Sequence, residues 1–124
     1  MPSRHVVDTE NHIVLTTFSG LVTVSDIAEH YTRLSRNPEF DASFSEIAEF
    51  AETADVQLSY SDFRSMLVLD PFSTDSKRAF VVRSQNSVYG TARMYQMLRE
   101  EDEDHVKIFS TLQQAVDWLT KPAG

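Results

Sequence analysis

Apolar and polar residues change their spacing several times along this chain, and each change predicts an element. Arg4 to Asp8 reads as a short strand and Ile13 to Phe18 as a second. Two β-rich runs joined by the polar residues Thr9, Glu10 and Asn11 predict an antiparallel hairpin, closed by Ser19 and Gly20. A helix follows. Thr23 stands as its N-cap with Asp26 three residues on, and Val22 and Ile27 are placed to clasp across that cap. Ile27, Tyr31 and Leu34 then recur on one helical face. Asn37-Pro38 ends the helix, because a residue before proline is driven out of the α region.

Phe44 to Ala51 predicts a third strand. Thr53-Ala54-Asp55 opens a connection with no clear period, in which Val56 and Leu58 are expected to pack locally. A second helix is expected to start near Ser61 or Asp62 and run to Leu69, with Phe63, Met66, Leu67 and Leu69 apolar, ended by Asp70-Pro71. The run Ala79-Phe80-Val81-Val82 holds no polar residue, which predicts an internal strand buried on both faces. Val88, Ala92, Tyr95 and Leu98 form a helical stripe between a cap near Asn86 and the acids from Glu100. Val106 to Phe109 is the last strand. Ser110 and Thr111, with Gln113 and Gln114 three residues after each, have capping-box spacing. They predict a final helix whose core face is Leu112, Ala115, Val116 and Leu119, with Trp118 packed against the sheet.

The order is therefore ββαβαβαβα. Alternating strands and helices imply parallel pairs joined by crossovers. The expected fold is one α/β domain over residues 1–124, with a mixed, mainly parallel sheet and an antiparallel N-terminal hairpin.

Composition narrows the function classes. A chain of 124 residues builds one ordinary core. It has no cysteine, which excludes disulfides, thiolate catalysis and Cys-ligated zinc. Its formal charge of −8 repels nucleic acid unless a strong basic patch intervenes, and no basic run is longer than a short pair such as Lys77-Arg78. No stretch approaches the roughly 20 apolar residues of a membrane span, and no signal-like apolar run follows Met1-Pro2-Ser3-Arg4-His5. A cytoplasmic protein without a cofactor is expected.

Candidate chemistry is sparse. His5, His12, His30 and His105 show no metal-ligand pairing and read as surface or strand-end residues. Glu46 and Glu49 fall on opposite faces of a regular strand, so Glu46, Glu49 and Glu52 read as strand-edge or helix-partnered acids rather than a catalytic pair. The acidic run Glu100 to Asp104 lacks the order and glycine of an EF-hand and reads as a solvated loop. No G-x-S-x-G elbow presents a nucleophile. The segment Tyr89-Gly90-Thr91-Ala92-Arg93 is the candidate binding site. It opens a helix beyond the carboxyl end of the Ala79–Val82 strand, the edge where ligands bind in open parallel sheets. Gly90 permits close approach of another backbone, and Arg93 can clamp a carboxylate or phosphate. Helix starts near Thr53, Ser61, Asn86 and Ser110 are expected along that same edge.

Several of these segments carry a resemblance. Lys77-Arg78-Ala79-Phe80-Val81-Val82, Tyr89-Gly90-Thr91-Ala92-Arg93, Val106-Lys107-Ile108-Phe109 and Ala115-Val116-Asp117-Trp118-Leu119 together resemble the SpoIIAA-like group of STAS/SEC14-type domains over nearly the whole chain. The resemblance implies a non-enzymatic regulatory domain with a protein partner. It also implies a phosphorylated serine after the third strand, in an Asp-Ser-Ser/Thr-Gly-like run. The matching region, Glu49 to Asp55, lacks that run and offers Thr53 alone. Glu52 and Asp55 would repel a phosphate there, so Thr53 is not expected to be a switch. The SEC14-like branch implies the alternative of a small apolar or anionic ligand, for which this length leaves little room.

Overall fold

The computed structural model describes residues 3–51, 53–82, 90, 93 and 105–120. In chain order the elements are β1 (Ser3–Asp8), β2 (Ile13–Phe18), β3 (Leu21–Thr23), α1 (Val24–Ser35), β4 (Ser45–Phe50), β5 (Asp55–Gln57), α2 (Tyr60–Leu69), β6 (Arg78–Val82), β7 (Val106–Phe109) and α3 (Leu112–Thr120). The expected helix between β6 and β7 lies outside the described residues except at Gly90 and Arg93, which are both helical.

Five strands form one sheet in the order β1-β2-β4-β6-β7. β1 and β2 are antiparallel and every other pair is parallel. The apolar run Ala79–Val82 is internal as its composition requires: β6 lies between β4 and β7, and Val81 is fully buried. Because side chains alternate across a strand, the register sorts the sheet into two faces. His5, Val14, Thr16, Phe18, Glu46, Ala48, Phe50, Arg78, Phe80 and Val82 share one face. There Ile27 and Tyr31 of α1 and Met66 of α2 pack on Phe18, Ala48, Phe50, Phe80 and Val82. Ile13, Ile47, Ala79 and Val81 share the other face and meet Ala115, Val116, Trp118 and Leu119 of α3. Among the described residues no helix is long and apolar enough to cross a membrane.

The connections follow local chemistry. In the hairpin turn the Asp8 carboxylate accepts the N–H groups of Glu10 and Asn11, each at 3.1 Å. His12 takes the left-handed region (φ 59°) and stacks on Phe44 with ring centroids 4.9 Å apart. α1 starts at Thr23 as expected, where the Asp26 carboxylate accepts the Thr23 N–H at 2.8 Å; Val22 and Ile27 are buried in one cluster. For α3 the working box is Thr111 with Gln114. The Gln114 N–H reaches the Thr111 hydroxyl at 3.2 Å, and the Gln114 side chain accepts the Thr111 N–H at 3.3 Å.

The unassigned stretch after β4 carries a strand, β5, which pairs in parallel with the equally short β3. This ribbon prolongs the β2–β4 pairing past a bend. The Ala51 N–H donates to Phe18 C=O at 2.9 Å, and the Asp55 N–H donates to Gly20 C=O at 2.8 Å, with Gly20 at φ +66°. Thr53 therefore sits in an exposed turn and starts no helix. α2 begins instead after Ser59, whose hydroxyl accepts the Asp62 N–H at 3.2 Å while Asp62 accepts the Ser59 N–H at 2.9 Å. At its C-terminal end Leu69 is about half exposed.

Candidate functional site

β2, β4 and β7 send their carboxyl ends toward α1, α2 and α3, the first two by way of β3 and β5. Of the helix starts expected along one edge, those near Ser61 and Ser110 follow the carboxyl ends of β4 and β7, whereas Thr53 starts no helix; Asn86 lies outside the described residues, as does Tyr89. Gly90 and Arg93 are both exposed on a helical turn. A Cβ added at Gly90 would meet nothing within 4 Å among the described residues, so packing against them does not require a glycine there. Gly90→Ala is accordingly expected to raise stability by up to about 1 kcal/mol through helix propensity. A shift of the thermal midpoint upward checks this; a downward shift would mean that the methyl collides.

A second constellation, unanticipated in the sequence, lies inside the protein near the amino ends of β4 and β6. Thr16 from β2, Glu46 from β4 and Arg78 from β6 point from the sheet toward α1, which contributes His30. All four are buried, with Arg78 at 1 % exposure and Thr16 and His30 at 0 %. Glu46 Oε1 accepts from Arg78 Nη2 at 2.7 Å and from Nε at 3.2 Å. Arg78 Nη1 reaches Asp70 at 2.5 Å, and Arg78 Cζ lies over the Phe72 ring, 4.2 Å from its centre. Asp70 is the C-cap residue of α2, so this bridge fastens the end of that helix to the middle of the sheet. Of the two roles expected for Glu46, the strand-edge one fails and the helix-partnered one holds: it is buried, paired with Arg78 and set against His30 of α1, and His30 is a core residue rather than a surface one.

On the other carboxylate oxygen, Thr16 Oγ1 donates to Glu46 Oε2 at 3.0 Å, while His30 Nε2 lies 3.3 Å from Thr16 Oγ1 and 3.5 Å from Glu46 Oε2. Both neighbours of Nε2 present acceptor oxygens, so the geometry puts a ring hydrogen on Nε2. His30 Nδ1 is buried with no hydrogen-bond partner among the described residues. His5 stands edge-on to His30, with ring centroids 5.6 Å apart. Burial penalises the Glu46 carboxylate, but the Arg78 charge and the His30 hydrogen bond outweigh it and hold its pKa down at about 2. Burial first, then the charges of His30 and Arg33, lowers His5 against the pull of Glu46.

Threonine, histidine and glutamate together invite comparison with a nucleophile–base–acid set, and the geometry rejects it. In such a set the acid orients the base through the ring nitrogen remote from the nucleophile. Here Thr16 and Glu46 both sit at Nε2, and the hydroxyl proton is already committed to the carboxylate. Burial of every member also keeps substrate away. The arrangement suits a structural tie: opposite charges joined by hydrogen bonds at every polar side-chain atom but His30 Nδ1, closing the sheet under α1. Among the described residues no group of three or more His, Asp or Glu side chains is placed to hold a metal ion. The chain matches no family model, no curated protein and no solved structure.

The surface offers a different kind of feature. Val68 is 85 % exposed and Leu69 51 %, side by side at the end of α2. Leu69 forms one wall of an open cleft of about 230 Å³, and Ala28, Tyr31, Thr32, Ser35 and Arg36 of the α1 region form the other. Because Asp70, the next residue, is locked to Arg78, this apolar lip is anchored from inside.

Proposed function

We propose that this chain is a non-enzymatic regulatory domain of the SpoIIAA-like STAS type that acts by docking a protein partner. The supporting observation is the anchored apolar lip, Val68 and Leu69, beside the open cleft. A side chain as exposed as Val68 gains nothing from its own fold, and an apolar pair on the rim of a concavity is what a partner buries. The sealed polar cluster fits the same reading, because it gives rigidity without access. Gly90 and Arg93, both exposed, belong on this reading at the carboxyl edge, in a second contact that accepts a carboxylate or phosphate.

A photoreactive amino acid at Val68, compared with one at the exposed Val6 of the edge strand, tests the proposal in the native host. A protein adduct of defined mass at Val68 and none at Val6 is the expected result. No adduct at either position, with a small molecule retained in native mass spectrometry, would replace docking by ligand carriage. Arg93→Ala is expected to weaken binding of the captured partner by about 1–3 kcal/mol, the range of a charged hydrogen bond, and to leave the thermal midpoint in place.

A further inference from the structure

Four large apolar side chains are strongly exposed among the described residues: Val6, Leu21, Val68 and Leu69. Leu69 lines the α1–α2 cleft, and Val68 adjoins it. The cleft's size and openness select its occupant. At about 230 Å³ it falls below the roughly 300–1,000 Å³ of pockets that enclose small molecules. That volume suits one large side chain entering from outside. The α1 wall includes Ala28, Thr32 and Ser35, one stripe at i, i+4 and i+7, whose short side chains let a second helix come close.

Charge selects further. Of the acids on the two helices, Asp26 is held at the α1 cap, Asp62 at the α2 cap, and Glu29 faces Arg33 at 3.8 Å. Arg36 lines the cleft, while Arg64 lies one turn before Val68 on the same stripe of α2. Neither forms an ion pair with another described residue. Two cations therefore flank an apolar strip in a chain whose net charge is −8. A second copy of so acidic a chain is repelled at long range, whereas an acidic segment is drawn to this one face.

We propose that the α1–α2 cleft docks an acidic amphipathic helix of a partner protein. One large apolar side chain of that helix enters beside Tyr31 and Leu69, its apolar face covers Val68, and its carboxylates meet Arg36 and Arg64. This rests on the docking reading above and names the chemistry of the partner. The lip needs little ordering on binding, since the Asp70–Arg78 bridge already fixes the end of α2, and preorganisation of that kind favours affinity.

The test uses the full chain and three synthetic probes. The first is a helical peptide of about 14 residues, roughly four turns, with leucines on one face and glutamates elsewhere. The second carries lysine at every glutamate, and the third is decanoate. Amide shifts in a ¹⁵N-labelled sample are expected to move at Ala28, Thr32, Ser35 and Leu69 with the glutamate peptide. The lysine peptide is expected to bind about tenfold more weakly, the effect of two surface ion pairs together. Arg36→Glu with Arg64→Glu should reverse that preference, and Leu69→Asp should abolish binding with the thermal midpoint unchanged.

Equal binding of both peptides, shifts mapping elsewhere, or no binding of the glutamate peptide at about 1 mM would overturn the inference. So would decanoate occupying the same residues while the peptides do not, or self-association of the chain through this face. If any of these occurs while the Val68 crosslink still captures a protein, docking stands and the acidic helix falls. If the crosslink also captures nothing, both fall.

Discussion

Arg78→Met is expected to cost about 3–5 kcal/mol of folding stability, the usual penalty for removing one member of a buried ion pair. Arg78 is 1 % exposed and is the charged partner of both Glu46 and Asp70. Removing it leaves two carboxylates inside the protein, one of them also facing the neutral Thr16 hydroxyl. A domain of this size holds about 5–15 kcal/mol in all, so the variant should lie close to unfolding at ordinary temperature. Urea denaturation reads the loss as a lower midpoint. A triple variant, Glu46→Gln with Asp70→Asn and Arg78→Met, separates the charge effect from packing. It should recover part of the loss, because the stranded charges are gone while the volumes are nearly kept. The bridge also fastens the end of α2, so hydrogen exchange at the amides of Val68 and Leu69 should quicken in Arg78→Met. A cost under about 1 kcal/mol, typical of exposed pairs, would show that water reaches the cluster.

Why the cluster was illegible and most of the fold was legible has a physical explanation. β2 and β7 announce themselves by β-rich runs between turn residues, and α1 by a cap and an apolar stripe, all short-range signals. Each member of the cluster does occupy an inward position. Arg78 has the parity of Phe80 and Val82, Glu46 that of Ala48 and Phe50, and Thr16 that of Val14 and Phe18. His30 falls three residues after Ile27 and four before Leu34, inside the α1 stripe. A polar residue at the end of a short strand nevertheless reads as the place where burial stops. Only the adjacency of β4 and β6, which brings together residues 32 apart in sequence, turns two apparent strand ends into one ion pair. β3 and β5 escaped for a related reason. Each is three residues long and buries one side chain, Val22 or Val56, too little for alternation to show. Their pairing is inherited from β2 and β4 across the bend. The exposure of Leu69 was equally hidden, since an apolar residue at helical spacing signals a face but not whether anything covers it.

Acid is expected to destabilise the protein in two stages, and the sign follows from two depressed pKa values. The Glu46 carboxyl is lowered from 4.5 to about 2 in the folded state. Below neutrality the unfolded chain therefore takes up that proton first. Ionised Glu46 contributes about 3 kcal/mol, because each tenfold difference in proton affinity between the folded and unfolded chain is worth roughly 1.4 kcal/mol. This contribution is complete above 4.5 and is lost as pH falls from there through about 2. His5 is also lowered in the folded state, from 6.5, chiefly by burial and by the charges of His30 and Arg33. A histidine held low is protonated more readily when unfolded, so its stage begins earlier, as pH drops through 6.5. Urea midpoints measured from neutral pH to about pH 2 in the wild type, His5→Gln and Glu46→Gln separate the stages. His5→Gln should flatten the upper stage alone, and Glu46→Gln most of the lower one. A residual slope should remain in Glu46→Gln, because Asp8 and Asp41 are held low by side-chain hydrogen bonds from Asn11 and Ser43 in their own turns. Should Glu46→Gln keep the full wild-type slope below 4.5, the carboxylate would not be ionised against Arg78 in the folded protein, and the sealed ion pair would be the wrong account of this interior.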